Sequence, residues 1–122
     1  MTAPEPISVV GVSGYTGFEL AKLLLRHPAG SAATFFMRDT QGAHCLSELS
    51  PQLRGIGRAP LRPLSVENIL ATGAKTAFLA TPHDVSAELA PKLLEAGVKV
   101  IDLSGAFRFR DAAVFQSWYK LP

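Results

Sequence analysis

The 122-residue sequence has no long apolar run and only one cysteine. No stretch approaches the roughly 20 apolar residues that a membrane-spanning helix needs, and the opening MTAPEP lacks the features of a signal peptide. The single cysteine, Cys45, excludes an internal disulfide and fits a reducing compartment. These absences favour a cytoplasmic protein that neither spans nor binds a membrane.

Neither sign of charge is in large excess. The formal net charge is +2, and the 12 basic and 10 acidic residues are interspersed, with no basic run that would suggest a nucleic-acid partner. The three histidines are scattered without the spacing of metal ligands, so no metal site is predicted. The apolar fraction of 48% and the chain length are instead typical of one globular domain spanning residues 1–122.

The clearest local pattern is ISVVGVSGYTG at residues 7–17. A short β-branched run breaks into Gly11, Gly14 and Gly17, and apolar residues with helical spacing follow. Strand, glycine turn and helix start in this order form the dinucleotide-binding fingerprint: Gly11 permits a sharp turn, Gly14 a close approach to a pyrophosphate, and Gly17 tight helix packing. The pattern therefore predicts dinucleotide binding, with a purely structural turn as the alternative.

The remaining patterns predict alternating strands and helices. Strands are expected at residues 7–10, 33–37, 76–80 and 98–103, and helices at about 16–26, 65–72 and 85–96, with a further helical turn from residue 111. Ser65 is expected to be the N-cap of the second helix. Residues 38–64 show no sustained period and are expected to form an irregular loop. This alternation predicts an α/β class protein with a Rossmann-like, doubly wound parallel sheet.

The end of the second strand bears on the choice of cofactor. In this fold an acidic residue roughly 20 positions beyond the glycine turn usually binds the ribose of NAD, but here the sequence reads FFMRDT. Arg38 suits a 2′-phosphate, which favours NADP(H), although Asp39 would repel that phosphate if it pointed inward. The alternative is that Arg38 is a solvated loop cation.

Two more segments follow predicted strands and should line the same crevice. In ATPHDVS (80–86), Thr81 and Pro82 fit a tight turn beneath a nicotinamide, and His83 is either a general acid or a cap at the helix start. In IDLSGAFRFRD (101–111), Arg108 suits an anionic substrate, or else pairs on the surface with a neighbouring aspartate. Cys45 lies beside His44 in the irregular loop without an orienting group, so it is a poor candidate nucleophile.

Taken together, these segments resemble the N-terminal part of the N-acetyl-γ-glutamyl-phosphate reductase family, within the semialdehyde dehydrogenase superfamily. The matching pieces are GVSGYTGFELAKLLLRHP, PQLRG, FLATPHDVSAELAPKLLEAGVKVIDLSGAFRFRD and WY. The resemblance implies NADPH-dependent reduction of an acyl phosphate to a semialdehyde in arginine biosynthesis, through a thioester on a catalytic cysteine and with a histidine as acid and base.

The resemblance also assigns residues. It implies a phosphate-binding turn at Gly11, Ser13, Gly14, Tyr15, Thr16 and Gly17, a 2′-phosphate contact at Arg38, a nicotinamide loop at Ala80, Pro82 and His83, and substrate contacts at Ser104 and Arg108. The sequence departs from the family at Asp84, where glycine is usual, and at Ala106, where aspartate is usual. Both departures bear on fine positioning and neither touches the glycine turn.

The same resemblance places the catalytic cysteine and histidine in a second domain beyond this chain, and Cys45 does not match that cysteine's motif. We therefore expect no catalytic residue in this chain, binding of cofactor without turnover, and a homo-oligomer when the protein is full length. Two alternatives stay open: the NADP-binding domain of an aspartate-semialdehyde dehydrogenase, and a stand-alone nucleotide-binding module without enzymatic activity.

Overall fold

The structure, a computed structural model, describes residues 5–12, 14–28, 32–38, 40, 42–48, 59–104, 106–107 and 110–119. Its strands are β1 (Ile7–Val10), β2 (Ala33–Met37), β3 (Leu61–Pro63), β4 (Thr76–Leu79) and β5 (Lys99–Asp102). Its α-helices are α1 (Tyr15–Arg26), α2 (Val66–Ala71), α3 (His83–Glu95) and α4 (Ala112–Tyr119), and one 3₁₀ turn spans Leu46–Glu48.

The described strands form one five-stranded sheet in the order β3-β2-β1-β4-β5, and every pairing is parallel. At the centre, Val10 lies level with Phe36 of β2 on one side and with Leu79 of β4 on the other. From β1 the chain adds β2 and β3 on one side, and it then crosses back to add β4 and β5 on the other side. This is the Rossmann-like, doubly wound arrangement that the sequence predicts.

Side-chain alternation along the strands builds a core on each face of the sheet. Val10 and Phe36 contribute to one core, beneath α2 and α3, while their neighbours Val9 and Phe35 contribute to the other, beneath α1. All four side chains are fully buried. A parallel sheet with apolar side chains on both faces needs helices on both sides, and that requirement fixes α1 opposite α2 and α3.

The expectation of an irregular loop over residues 38–64 is wrong at β3. A strand of three residues is too short to show a period, so its apolar pattern gives no signal. Pairing with β2 holds it in place, because Phe35 donates its N–H to Pro60 O at 2.9 Å and Leu64 donates to Met37 O at 2.9 Å. Pro63 is tolerated because β3 lies at the sheet edge. Residues 49–58 lie outside the described part of the chain.

The helix boundaries differ slightly from the expected ones. α1 begins at Tyr15 rather than Thr16, and α3 begins at His83 rather than Val85. Pro82 precedes α3 with a φ of −55°, and the first turn forms directly after it, with Ser86 donating its N–H to Pro82 O at 3.0 Å. None of the helices in the described residues is both long enough and apolar enough to cross a membrane.

Candidate functional site

The carboxyl ends of β1 and β4 meet at the centre of the sheet. Ala80 donates its N–H to Val10 O at 2.9 Å, and on the other side Gly11 donates to Phe36 O at 3.0 Å. The connection after β1 leads to β2, whereas β4 lies on the opposite side of β1. This reversal of direction creates the crevice in which open parallel sheets bind ligands.

Two of the three glycines in the turn are required by the protein itself. Gly11 has a φ of +92°, and a Cβ at this position would overlap the carbonyl oxygen of Ala80. A Cβ at Gly17 would overlap the carbonyl oxygen of Gly11, because the first turn of α1 packs directly on the end of β1. Gly11 and Gly17 therefore bring β1, β4 and α1 together at backbone contact distance.

Gly14 differs from the other two glycines. Its φ of −88° is open to any residue, and a Cβ would meet nothing closer than Gly11 O at 3.9 Å. Neither the backbone nor the packing therefore demands glycine here. Gly14 is exposed, and a side chain at this position would block a ligand that approaches the backbone closely.

The N-terminus of α1 is suited to an anion. Gly14 provides no side-chain cap, and the first turn holds no acidic residue. The first N–H groups of a helix have no intrahelical partners and lie at the positive end of its dipole. Tyr15 and Thr16 are exposed in this first turn. A diphosphate would be bound well here, whereas Ser13, which the sequence assigns to the same turn, lies outside the described residues.

Arg38 lies beyond the end of β2 and lines a cavity of about 520 Å³ between α2 and α3. The cavity is lined by apolar side chains and by four charged ones, namely Leu64, Val66, Val85, Leu89, Arg38, Glu67, Glu88 and Lys92, together with Ser65. The two cations balance the two carboxylates. Apolar walls with a few polar groups are typical of sites for small molecules and cofactors.

On the other side of the crevice, Ala80 and Pro82 follow β4 and His83 begins α3. The structure brings Ala80 next to the glycine turn, because a Cβ on Gly11 would overlap the Ala80 carbonyl. Thr81 lies between Ala80 and Pro82, and its Oγ1 is 2.6 Å from Ser86 Oγ in the first turns of α3. Ser86 is fully buried and was not predicted as a site residue, since a hydroxyl pair five residues apart leaves no recognisable sequence signal.

The end of β5 forms a tight turn. Ser104 donates its N–H to Asp102 Oδ1 at 2.9 Å, and Ala106 donates to Ser104 Oγ at 3.2 Å. Ser104 therefore shapes the backbone at the carboxyl edge of the sheet, as the sequence placed it. Arg108 lies outside the described residues.

Cys45 lies away from the switch point, in the connection between β2 and β3. Its Sγ is 3.1 Å from Ser47 Oγ, and the residue pairs with Pro60 in an isolated bridge. Within the part of the chain that the structure describes, no group of three or more His, Cys, Asp or Glu residues could hold a metal ion.

Comparison with known proteins identifies the domain. The family model described as "Semialdehyde dehydrogenase, NAD binding domain" matches residues 6–119. The chain belongs to this family. Glycine turn, five-stranded sheet and uncapped α1 are thus parts of a semialdehyde dehydrogenase NAD-binding domain.

Relatives of the chain have longer sequences. N-acetyl-γ-glutamyl-phosphate reductase from Escherichia coli (strain K12) is 44% identical over 113 residues, and the protein of that name from Yersinia pseudotuberculosis is 48% identical over 115 residues. Each match covers 91% of this chain and 34% of the relative. The chain therefore spans about one-third of the length of these relatives.

Solved structures agree on the fold. Aspartate semialdehyde dehydrogenase II from Vibrio cholerae superposes with a TM-score of 0.64 at 17% identity, covering 86% of this chain and 32% of that one. A probable aspartate-semialdehyde dehydrogenase from Pseudomonas aeruginosa superposes with a TM-score of 0.60 at 27% identity, covering 85% of this chain and 29% of that one.

Proposed function

We propose that this chain is the NADP(H)-binding part of an N-acetyl-γ-glutamyl-phosphate reductase. The observation that carries the binding site is the glycine turn at the switch point, where Gly14 is free of any packing role and α1 begins without a cap. The reductase assignment is supported by 44–48% identity to enzymes of that name over 91% of the chain.

The protein's own groups divide the work of binding. The N-terminus of α1 receives the diphosphate, and Gly14 lets it approach the backbone. The cavity between α2 and α3 receives the adenine base, and Arg38 at its rim forms paired hydrogen bonds with the 2′-phosphate. The nicotinamide half then lies toward β4, beside Ala80, Pro82 and His83. When bound, the reduced coenzyme supplies a hydride to the substrate.

Arg38 is the main determinant of a preference for the 2′-phosphate. Lys92 lies 3.6 Å from Glu88, one turn earlier on α3, and this carboxylate offsets part of its charge. Glu67, in the first turn of α2, adds a carboxylate to the same rim. Loss of the Arg38 guanidinium would leave a rim with excess negative charge, which repels a phosphate.

Calorimetry with NADPH and NADH tests this assignment. We expect NADPH to bind more tightly, and Arg38→Ala to reduce the ratio of the two dissociation constants about 10-fold or more, as for loss of a charge-assisted pair. Arg62→Ala is the matched control, because Arg62 is an exposed arginine on neighbouring β3 that lies outside the cavity. Equal binding of the two coenzymes by the unmodified chain would remove the NADP(H) assignment.

The substrate assignment rests on the relatives. We propose that Ser104 and Arg108, four residues later in the sequence, hold an anionic acyl phosphate beyond β5. Aspartate-semialdehyde dehydrogenases share the fold at 17–27% identity, well below the 44–48% of the glutamyl-phosphate reductases, which favours the N-acetyl-γ-glutamyl phosphate.

A completed enzyme separates the two substrates. A chimera joins residues 6–119 to the remaining two-thirds of the Escherichia coli relative, and is assayed with N-acetyl-γ-glutamyl phosphate and with aspartyl phosphate. We expect turnover of the first, and preference for the second would contradict the proposal. The 122-residue chain alone should bind NADPH without turnover, because it lacks a matching nucleophile. Reductase activity of that chain would overturn this expectation.

A further inference from the structure

The geometry points to Thr81 as a hydrogen-bond donor to the nicotinamide half of the bound dinucleotide, held in position by Ser86. This inference rests on the proposed function and adds a residue to it. Thr81 directly follows Ala80 at the carboxyl end of β4, and its Cγ2 lies 3.2 Å from where a Cβ on Gly11 would stand. The Thr81 side chain is thus at the switch point, against the glycine turn.

The direction of the Thr81–Ser86 hydrogen bond follows from burial. The two hydroxyl oxygens are 2.6 Å apart, and either could donate. Ser86 is completely buried, whereas Thr81 is half-buried at the edge of the crevice. Among the described residues, Thr81 Oγ1 is the only hydrogen-bond partner of the Ser86 hydroxyl.

If Thr81 donated, the proton of Ser86 would lie in the protein interior without an acceptor, which is strongly disfavoured. Ser86 therefore donates to Thr81 Oγ1. This bond uses an acceptor site on Thr81 and fixes its side-chain rotamer. The Thr81 proton remains available on the half-buried side, where the crevice lies. Ser86 acts only through Thr81 and is a positioning residue.

The acceptor on a dinucleotide follows from the order of the strands. Arg38 follows β2 on one side of β1, whereas Thr81 follows β4 on the other side. A dinucleotide whose diphosphate is at α1 therefore presents the nicotinamide half to Thr81. Its ribose, phosphate and carboxamide oxygens are acceptors for a hydroxyl donor.

Binding of NADPH and of 2′,5′-ADP, which carries only the adenosine half, tests the inference in the full 122-residue chain. We expect Thr81→Val, which keeps the shape and removes the hydroxyl, to raise the Kd of NADPH about 5-fold and leave that of 2′,5′-ADP unchanged. Thr81→Ser should bind NADPH like the unmodified chain. Ser86→Ala should raise the Kd of NADPH about 2- to 3-fold, because Thr81 loses its orientation.

The effects of Thr81→Val and Ser86→Ala on the affinity for NADPH should not be additive. Ser86→Ala should add nothing in the background of Thr81→Val, since the hydroxyl that Ser86 orients is already gone. Thr81→Val leaves the Ser86 hydroxyl without a partner in the core, and the double variant removes that hydroxyl. If Thr81→Val does not fold, the affinity for NADPH is therefore measured on the double variant. Thr72→Val is the control: Thr72 donates to Ile69 O at 2.6 Å at the end of α2, before the amino end of β4, whereas the crevice lies at the carboxyl end of that strand. Stability should therefore fall while the Kd of NADPH stays constant.

Two results would overturn the inference alone: unchanged NADPH affinity in Thr81→Val, or equal weakening of NADPH and 2′,5′-ADP, which would indicate a structural effect. A chain that binds neither compound would contradict the proposed function as well. The two failures are therefore distinguishable.

Discussion

The N-termini of α1 and α2 differ in side-chain capping and in the charge of the first turn. α2 begins at Ser65, whose Oγ accepts the N–H of Asn68 at 3.0 Å, and Glu67 complements the dipole in the first turn. The Asn68 side chain also donates to Pro63 O at 2.8 Å, which ties α2 to β3. α1 begins at Gly14, which has no side-chain cap and no acid in the turn that follows.

This difference separates a helix start that serves the fold from one that serves a ligand. In α2 the chain itself caps the Asn68 N–H and complements the dipole with Glu67. At α1, burial of the helix face against β1 and β2 must carry the stability, through side chains such as Phe18 and Ala21. The free donors and the positive dipole end of α1 are then available to a diphosphate.

The largest effect should come from the glycine that fixes the junction of β1 and β4. Gly11→Ala combines a positive φ with a Cβ that overlaps Ala80 O, so we expect the free energy of unfolding to fall by about 3 kcal/mol or more. Urea denaturation followed by circular dichroism measures it. A loss below about 1 kcal/mol would mean that the junction can relax, and that Gly11 is not required by packing.

Gly14→Ser should make α1 resemble α2. The φ and ψ of Gly14 are extended, so a serine there can accept the N–H of Gly17, as Ser65 accepts that of Asn68. We expect the free energy of unfolding to rise by about 0.5 kcal/mol and the Kd of NADPH to rise about 10-fold or more, because the new side chain crowds the diphosphate and uses its donor.

Gly14→Ala is the matched control, because it adds the Cβ without a cap. It should weaken NADPH binding without stabilising α1, since alanine is a poorer N-cap than glycine. If the serine variant binds NADPH as tightly as the unmodified chain, the contrast between the two helix starts has no functional meaning. Calorimetry and urea denaturation on both variants decide this.

Ser65→Ala tests the other side of the comparison. Loss of the cap should lower the free energy of unfolding by about 1 kcal/mol. Ser65→Asp should retain most of the stability, because a carboxylate also accepts the Asn68 N–H and suits the positive helix end. Similar losses in both variants, measured by urea denaturation, would show that packing rather than capping holds the start of α2.

The sequence predicted the parts of this comparison unevenly. The glycine turn, the cap at Ser65 and the position of Arg38 all depend on local patterns, and the structure places them at helix starts and strand ends as expected. The hydrogen bond between Thr81 and Ser86 could not be predicted from the sequence, because it depends on the burial of Ser86 and on the orientation of α3. Strand β3 was missed for a similar reason, since only pairing with β2 defines it.

An unpaired polar group does not by itself mark a ligand site. A substitution at Ser8 tests this point and has the smallest expected effect. Its Oγ is buried within β1 and has no partner among the described residues, yet it lies inside the sheet between Thr34 and Ala77 rather than at the carboxyl edge. Ser8→Ala should raise the free energy of unfolding by about 0.5 kcal/mol, because a buried hydroxyl without a partner is costly, and should leave the Kd of NADPH unchanged. Ser86→Ala, which removes a paired hydroxyl, should lower stability instead. Destabilisation by Ser8→Ala in urea would mean that the Ser8 hydroxyl is satisfied in solution, for instance by a buried water molecule.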